Sequence, residues 1–343
     1  MLTLCKVAPE QDGGLGFRES QPVPPREGEI RLKVAAAGIC GTDMQIYKWA
    51  PRMARRMALP RVMGHEMSGV VETIGPGVTN VEPGDHVSLE SHIFCGTCRQ
   101  CLSGKAHLCA NLRYPGIDID GTFADYITVP AQIAWRNPKG LKHEIAAMME
   151  PFGIAVHASL EGSGVAGQSV LINGCGPIGL MNVATARALG ATRVIACDMN
   201  PIRLATAEKM GADRAVKPDE LIATVKDMTN GGVDVGIEYS GSESGFRAVY
   251  ECIAKGGDFR LVGAPPAPIA VDFTFWLLKC PRMINIHGRR IWDTWSIAAD
   301  LVASRRVDLS PIASHVLPLK DGLRGFELIK RGEAVKPILV PGG

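Results

Sequence analysis

The chain has 343 residues, of which 46% are hydrophobic and 21% charged, so we expect a globular protein of about two domains. Its formal net charge of +2 gives no general attraction to nucleic acid or to an anionic membrane, and neither is an expected partner. No stretch reaches the ~18 uninterrupted apolar residues of a membrane span. The N-terminus lacks a basic leader followed by an apolar core, which predicts a cytoplasmic protein.

The first 150 residues contain short candidate strands separated by glycine and proline. The strands are predicted at residues 2–7, 29–38, 68–74, 85–89 and 123–129. This pattern favours a small β-barrel or folded sheet.

Strands and helices alternate after about residue 160. The strands are predicted at residues 169–173, 193–198, 214–216, 233–239, 258–262 and 283–287. Six strands with intervening helices predict a doubly wound parallel sheet. The tail from residue 294 contains two predicted helices and an apolar strand at 336–340, and we expect it to return to the first domain.

Four metal-binding side chains in the first half lie beside glycine or proline residues that end predicted elements. They are Cys40, His65, Glu66 and Glu150. A catalytic zinc takes three protein ligands and keeps one position open, and Cys40, His65 and Glu150 can supply the three. Glu66 is then an exchangeable fourth ligand or a group that orients the others. Taken singly, each also fits an ordinary role: a buried thiol, a surface histidine, a glutamate at a helix start.

The segment 95–109 reads CGTCRQCLSGKAHLC and has the spacing of a closed metal site. Its cysteines, Cys95, Cys98, Cys101 and Cys109, are separated by two, two and seven residues. Four soft sulfur ligands suit structural zinc. A disulfide framework fits a large chain without a secretory segment poorly. An iron–sulfur spacing of the ferredoxin type would place proline after the last cysteine, where this chain has Ala110.

A glycine-rich turn follows the predicted strand 169–173 and opens a helix. Its residues are Gly174, Gly176, Pro177, Ile178 and Gly179. The glycines permit a tight turn, a close approach of pyrophosphate and close packing of helix on strand. Proline suits the first helical position, and the free amides of the helix start bind phosphate. In this context the motif predicts a dinucleotide site.

The next predicted strand ends at Asp198, ~20 residues beyond the last glycine of the turn. A carboxylate there binds the ribose hydroxyls of NAD and repels the 2′-phosphate of NADP, so NAD is the predicted cofactor. Arg203 is the counter-argument, because a nearby guanidinium can hold that phosphate. We predict instead that Arg203 lies on the outer face of its helix.

Five motifs together resemble the zinc-containing medium-chain dehydrogenases. They are ICGTD at 39–43, GHE at 64–66, the four-cysteine segment, EPFGIAVHA at 150–158 and GCGPIG at 174–179. The resemblance implies an α/β protein: a GroES-like β-rich catalytic domain at 1–152 with the zinc lobe at 95–109, a Rossmann NAD-binding domain at 153–290, and a return to the catalytic domain at 291–343. It also implies two zinc ions per chain and a homotetramer.

Segments at 39–49, 91–101, 106–109, 288–295 and 308–315 resemble family members that oxidise L-threonine. This resemblance implies that Cys40, His65 and Glu150 bind the catalytic zinc, with Glu66 beside them. Thr42 is then expected to bond the reacting hydroxyl and to start the proton path.

The same resemblance implies that His92 lies near the substrate and that Arg289 holds its carboxylate. An interface or surface salt bridge is the ordinary alternative for Arg289, and Arg290 beside it is a possible substitute.

The chain departs from the family pattern in three places. Gln45 stands where the family often has a histidine, and an amide cannot relay a proton by titrating. Residues 89–92, LESH, replace a glycine-rich approach to His92. Residues 52–57, RMARRM, make the following loop basic, as a solvated loop or as a surface that faces an anionic substrate.

The expected reaction is oxidation of a secondary alcohol with hydride transfer to NAD, with L-threonine giving 2-amino-3-oxobutanoate as the first choice. A polyol or sugar-acid dehydrogenase with the same machinery is the nearest alternative. A non-catalytic NAD-binding protein on this scaffold is a remote one, because a binding protein needs no open metal site.

Overall fold

A computed structural model describes residues 1–342. The strands are β1 (Leu2–Lys6), β2 (Leu15–Glu19), β3 (Glu29–Gly38), β4 (Arg61–Val62), β5 (Glu66–Ile74), β6 (His86–Leu89), β7 (Tyr126–Pro130), β8 (Ala134–Arg136), β9 (Ser169–Asn173), β10 (Arg193–Cys197), β11 (Arg214–Val216), β12 (Val233–Glu238), β13 (Ile253–Leu261), β14 (Arg282–Asn285), β15 (His315–Pro318) and β16 (Pro337–Val340). The helices are α1 (Gly41–Tyr47), α2 (Pro51–Ala54), α3 (Arg99–Leu102), α4 (His143–Ala146), α5 (Met149–Leu160), α6 (Pro177–Ala188), α7 (Pro201–Lys209), α8 (Pro218–Met228), α9 (Glu243–Cys252), α10 (Phe273–Lys279), α11 (Asp293–Ala303) and α12 (Gly322–Lys330).

The chain forms two compact units, one from residues 1–150 with the chain from Ala313 onward and one from Pro151–Ile312. Residues 291–312 thus belong to the second unit, whereas the sequence prediction returned the chain to the first domain at 291. The difference has a physical reason. Trp295 and Leu301 of α11 are buried, and the Arg306 guanidinium donates to the carbonyl of Ala188 at the end of α6. The final residue of the predicted segment, Gly343, lies outside the described residues.

The first unit is β-rich, as predicted. Its larger sheet has the order β15-β16-β3-β5-β6-β8, with β7 also paired to β3, and a smaller sheet has the order β2-β1-β4. Residues Ile30, Leu32 and Val34 of β3 are buried, and their spacing of two puts them on one face of the sheet. They belong to one apolar core with Phe123 and Phe326.

The second unit is a six-stranded parallel sheet with the order β11-β10-β9-β12-β13-β14. This confirms the predicted doubly wound sheet. All five residues of β9 are buried, as expected for a central strand covered on both faces. The strand order reverses at β9, between β10 and β12, and such a reversal leaves a crevice at the carboxyl ends of the strands. In the described chain, no helix combines the length and the apolar character needed to cross a bilayer.

Candidate active site and structural metal site

Cys40 lies between β3 and α1, where it is the N-cap residue of the helix. The Asp43 carboxylate ties this turn to the segment that carries His65: Oδ2 accepts from the Cys40 N–H at 2.9 Å and Oδ1 from the Gly64 N–H at 3.2 Å. Gly64 has φ +88°, and a Cβ there would lie 2.5 Å from Phe123, so only glycine fits. Asp43 is fully buried and is a positioning residue that the sequence prediction did not assign. Its place at the third position of a helix was the available signal.

Cys40, His65 and Glu66 form a mixed donor group. One ligand atom from each lies within 4.8 Å of the other two. Thiolate, imidazole and carboxylate are all zinc ligands, so the residues fit zinc. Glu66 Oε1 is buried and has no hydrogen-bond partner among the described residues, which leaves it available to a cation.

The electrostatics of this group also favour a cation. Burial alone would lower the pKa of His65. The interaction of the ring with Cys40, through charge and a hydrogen bond, outweighs burial together with Asp43 and Glu150, and the pKa of His65 rises to about 10. The surrounding groups therefore hold an excess of negative charge.

Glu150 stands apart from this donor group. It lies in the first turn of α5, is 4% exposed, and is not among the atoms within 4.8 Å. Its charge nevertheless acts there. Burial is the main cause of the raised pKa of Glu66, and Glu150 contributes to it and, after Cys40 and Asp43, to the raised pKa of His65. The sequence prediction named Cys40, His65 and Glu150 as ligands with Glu66 beside them. The structure brings Cys40, His65 and Glu66 together, and a role of Glu150 as ligand stays a prediction.

Lys336 is a second residue that the sequence prediction missed. Its ammonium contacts Glu66 Oε2, and the two side chains are 1% and 0% exposed. Burial alone would lower the pKa of Lys336, but the charges of Glu66, Cys40 and Glu150 raise it. A lysine at the start of an apolar strand was the only sequence signal.

His92 is buried and paired with Glu90. The His92 N–H donates to Glu90 Oε1 at 2.9 Å, and the ring Nδ1 lies 2.7 Å from the same oxygen. A carboxylate at Nδ1 fixes the hydrogen on that nitrogen and so sets the ring tautomer. The Tyr114 ring meets the imidazole edge-on at a centroid distance of 5.0 Å. The LESH segment that departs from the family pattern thus supplies the partner of His92.

Thr42 and Gln45 lie on α1, three residues apart and therefore on one face. Thr42 is partly buried and Gln45 is exposed.

The basic loop 52–57 has one structural arginine. Arg56 Nε and Nη2 bind Asp118 at 2.8 and 2.7 Å, and its guanidinium lies 4.8 Å from the centre of the Tyr114 ring. Arg56 therefore stabilises the fold at this point. Of the three arginines in this segment, Arg52 and Arg55 are exposed to solvent, as predicted for a solvated loop.

The four cysteines of the lobe converge. Cys98 Sγ lies 3.5 Å from Cys101 Sγ and 3.8 Å from Cys109 Sγ, and the Sγ atoms of Cys95 and Cys109 are 3.5 Å apart. Zinc–sulfur bonds of ~2.3 Å in a tetrahedron put the sulfurs ~3.8 Å apart. The Asn111 N–H donates to Cys109 Sγ at 3.3 Å. The geometry fits one zinc with no open position.

The thiols of the lobe differ in acidity. Hydrogen bonds from the Thr97 backbone and hydroxyl and from the Cys98 N–H lower the pKa of Cys95 to about 5. Burial and the neighbouring thiols Cys98 and Cys109 raise the pKa of Cys101 to about 12. Binding of zinc as four thiolates would require all four thiols to lose their protons, and the charge of the cation would compensate for them.

The glycine-rich turn has the predicted geometry. Gly174 has φ +96°, and a Cβ on Gly179 would lie 2.0 Å from the Gly174 carbonyl oxygen. Gly176 is the N-cap of α6, Pro177 follows at the helix start, and a Cβ on Gly176 would meet nothing within 4 Å. Ile178 lies in the first turn of this helix. The start of α6 thus borders open space at the carboxyl end of β9, which fits the predicted pyrophosphate site.

Asp198 follows β10 and meets this turn. Its Oδ2 accepts from the Cys175 N–H at 2.7 Å and its Oδ1 from the Asn200 N–H at 2.8 Å. Arg203 Nη1 lies 3.7 Å from Asp198 Oδ2, and the arginine side chain is 27% exposed. Arg203 therefore points toward Asp198, and the prediction of an outward-facing side chain is wrong. The carboxylate at the strand end attracts it across the first turn of α7.

Arg289 is buried in the second unit at 1% exposure. A Cβ on Gly153 would lie 2.9 Å from Arg289 Cδ, so glycine leaves room for this side chain. Arg290 pairs with Glu161 at 3.4 Å and with Asp293 at 3.1 Å. These ion pairs account for Arg290, and the role of Arg289 in substrate binding stays a prediction.

Comparison with known proteins places the chain in a family. Residues 26–139 match the alcohol dehydrogenase GroES-like domain and residues 177–304 match the zinc-binding dehydrogenase domain. The chain is similar to L-threonine 3-dehydrogenase of Bacillus velezensis, with 43% identity over 93% of this chain and 94% of that protein. The corresponding protein of Bacillus subtilis is 41% identical over 98% of each chain.

Solved structures show the same architecture. A structure from Escherichia coli CFT073, described as a short chain alcohol dehydrogenase with NADH, has a TM-score of 0.89, 26% identity and 99% coverage of both chains. 2R,3R-butanediol dehydrogenase of Bacillus subtilis has a TM-score of 0.90 and 26% identity, with both chains fully covered.

The chain therefore belongs to the zinc-binding alcohol dehydrogenases with a GroES-like domain. Within this family it is an NAD-dependent enzyme that oxidises a small-molecule alcohol, and relatives that are 38–43% identical to it are named L-threonine 3-dehydrogenase. The fold class, the reaction class and the cofactors zinc and NAD are thus confirmed. The alternative of a non-catalytic NAD-binding protein is wrong.

Proposed function

We propose that the chain oxidises L-threonine at its secondary hydroxyl to 2-amino-3-oxobutanoate with reduction of NAD. The observation that carries the proposal is the convergence of Cys40, His65 and Glu66 within 4.8 Å in a chain similar to threonine dehydrogenases over nearly its full length.

Cys40, His65 and Glu66 would hold the catalytic zinc, with Glu150 as the further carboxylate of the site. Bound there, zinc supplies a Lewis acid that lowers the pKa of the substrate hydroxyl. Thr42 would hydrogen-bond that hydroxyl and relay its proton, accepting it while passing its own hydroxyl proton to the groups beyond, so that its side chain stays neutral. Cys95, Cys98, Cys101 and Cys109 would hold the structural zinc.

The substrate residues are assigned by charge. L-threonine carries a carboxylate and an ammonium beside its reacting hydroxyl. The Arg289 guanidinium binds the carboxylate with paired hydrogen bonds. The His92 ring, held in one tautomer by Glu90, contacts the substrate, and Glu150 adds negative potential for the ammonium.

NAD supplies the hydride acceptor. Gly174, Gly176, Pro177, Ile178 and Gly179 form the phosphate-binding turn. Asp198 binds the adenosine ribose hydroxyls and favours NAD over NADP. Arg203 pairs with Asp198 and helps to position that carboxylate, so we do not assign Arg203 as a ligand of the 2′-phosphate of NADP.

The test is activity on a panel of amino acids and polyols with NAD and with NADP. We expect L-threonine to give the highest kcat/KM. Rapid oxidation of 2,3-butanediol, the substrate in the name of one structural neighbour, without oxidation of threonine would overturn the substrate and leave the reaction class intact. Arg289→Lys and Arg290→Lys are matched variants: only the first is expected to raise the KM for threonine.

We also propose a cytoplasmic homotetramer. Support for self-association comes from α10, where Phe273, Leu277 and Leu278 are 77%, 76% and 69% exposed, and from β14, which lies at the edge of its sheet. Leu277→Asp is expected to lower the mass measured by light scattering, while Leu102→Asp on the zinc lobe, exposed to 77%, serves as control.

A further inference from the structure

The ion pair of Lys336 and Glu66 joins three adjacent strands. Glu66 begins β5 and pairs with Gly38 of β3, which in turn pairs with Ile338 of β16. Lys336 directly precedes β16. A Cβ on Gly38 would lie 2.4 Å from Glu66 Oε2 and 2.9 Å from Lys336 Cε, so the missing side chain makes room for the pair. The pair is therefore built into the sheet rather than formed by two mobile surface side chains.

The two oxygens of the Glu66 carboxylate have different surroundings. Oε2 faces the Lys336 ammonium. Oε1 is buried without a hydrogen-bond partner among the described residues. A buried carboxylate oxygen without a partner is costly, so Oε1 is the atom that a cation would meet.

The ammonium also affects that cation directly. Lys336 is buried, as are His65 and Glu66, and it carries a positive charge beside the Cys40–His65–Glu66 group. Like charges repel most strongly where water is excluded. Lys336 thus holds the carboxylate in place and at the same time weakens the attraction of the site for a divalent ion.

We propose that Lys336 is a positioning residue that keeps Glu66 an exchangeable zinc ligand. This inference rests on the proposed function of the site and goes beyond it, because it assigns control of zinc affinity to a residue outside the donor group. Exchangeability matters for a catalytic site, since one position has to be open to the substrate hydroxyl.

The test is the rate at which zinc-loaded enzyme releases zinc to a chelator, with the spectrum of the cobalt-substituted enzyme as second readout. Lys336→Met removes the repulsion and frees both oxygens of Glu66. We expect about tenfold slower release from this site and a cobalt spectrum of higher coordination number. Lys336→Arg keeps the charge and should behave as wild type. Release from the four-cysteine lobe is the internal control and should not change.

A second pair of variants covers the case in which Lys336→Met does not fold. Glu66→Gln leaves the ammonium facing a neutral amide, whereas Glu66→Gln with Lys336→Met removes both charges. The single variant should release zinc about tenfold faster than the double variant. The role of Lys336 would be overturned if Lys336→Met released zinc as fast as wild type, Glu66→Gln released it as fast as the double variant, and the cobalt spectra were unchanged. Wild-type enzyme that holds only the lobe zinc while fully active would instead overturn the proposed catalytic site and this inference with it.

Discussion

The two metal sites of the first unit are built in opposite ways. The lobe takes four like ligands from a single segment, 95–109, and three of its cysteines are only partly buried. The proposed catalytic site takes unlike ligands from the end of β3 and the start of β5, and surrounds them with buried charges. The lobe is local and closed; the catalytic site depends on the tertiary fold and on electrostatic balance.

The difference follows from what each ion has to do. A structural zinc contributes folding free energy, and four thiolates with backbone hydrogen bonds bind it without an open position. A catalytic zinc has to accept a substrate oxygen. Asp43 and Lys336 hold Cys40 and Glu66 from outside the donor group, so the site is rigid without being saturated.

The first prediction separates chemistry from folding at the catalytic site. Cys40→Ser removes one soft ligand, and we expect kcat/KM to fall about 10³-fold because Lewis-acid stabilisation of several kcal/mol is lost. Metal analysis should find one zinc per chain, and the melting temperature should change little. The control is Cys280→Ser, which replaces an exposed thiol and should leave both activity and zinc content unchanged. A Cys40→Ser enzyme that keeps two zinc ions and full activity would contradict the assignment.

The second prediction concerns the lobe. Cys98→Ser leaves three ligands, and we expect the melting temperature to fall on the order of 10 °C, because structural zinc contributes several kcal/mol to folding. Activity measured at low temperature on the remaining folded enzyme should be kept. Calorimetry and a residual-activity assay after heating check this. If Cys98→Ser unfolds as wild type does while losing activity, the two sites have been assigned in the wrong order.

The contrast also explains what the sequence could and could not predict. The four cysteines lie in one short segment and the glycines of the turn in another, so local spacing was sufficient to predict both. The cysteines converge, and the glycines allow the close approaches that the sequence predicted. Lys336 lies 270 positions after Glu66 in the chain, and only the pairing of β16, β3 and β5 brings them together. The direction of Arg203 was likewise set by a partner, Asp198, rather than by helical periodicity.

The third prediction uses a histidine pair beside the strand that carries Glu66. Ser68 Oγ bonds His86 Nε2 at 2.6 Å and His143 Nδ1 at 2.9 Å. Burial, with the nearby His143, lowers the pKa of His86 to about 4. Between the ordinary pKa of ~6.5 and about 4 the unfolded chain binds a proton that the folded chain excludes. The contribution of His86 to the free energy of unfolding is therefore complete above pH ~6.5 and is lost as the pH falls toward about 4.

His86→Gln should flatten this dependence, which thermal melts from pH 7 to pH 4 would measure. The expected change is a few degrees. His315→Gln is the matched control, because His315 lies in β15 and bonds only Ser314 among the hydrogen bonds described. Parallel melting curves for wild type and His86→Gln would show that the pair does not contribute.

The smallest expected effect concerns proton release, which the catalytic site needs and the lobe does not. Gln45 is exposed on α1, three residues after Thr42 and on the same face, and its amide cannot titrate. Gln45→His would place a group with a pKa of ~6.5 at the outer end of the proposed proton path. We expect kcat to rise about two- to fivefold near pH 7.5 and its pH profile to gain a titration near that pKa, a modest gain within the range of general acid–base catalysis. Gln45→Asn keeps an amide and should leave the profile as it is. If the pH profile of Gln45→His superimposes on that of wild type, the proton path leaves the first unit elsewhere. If the profile changes with any alcohol, whether threonine or a polyol, the proton path leaves at α1.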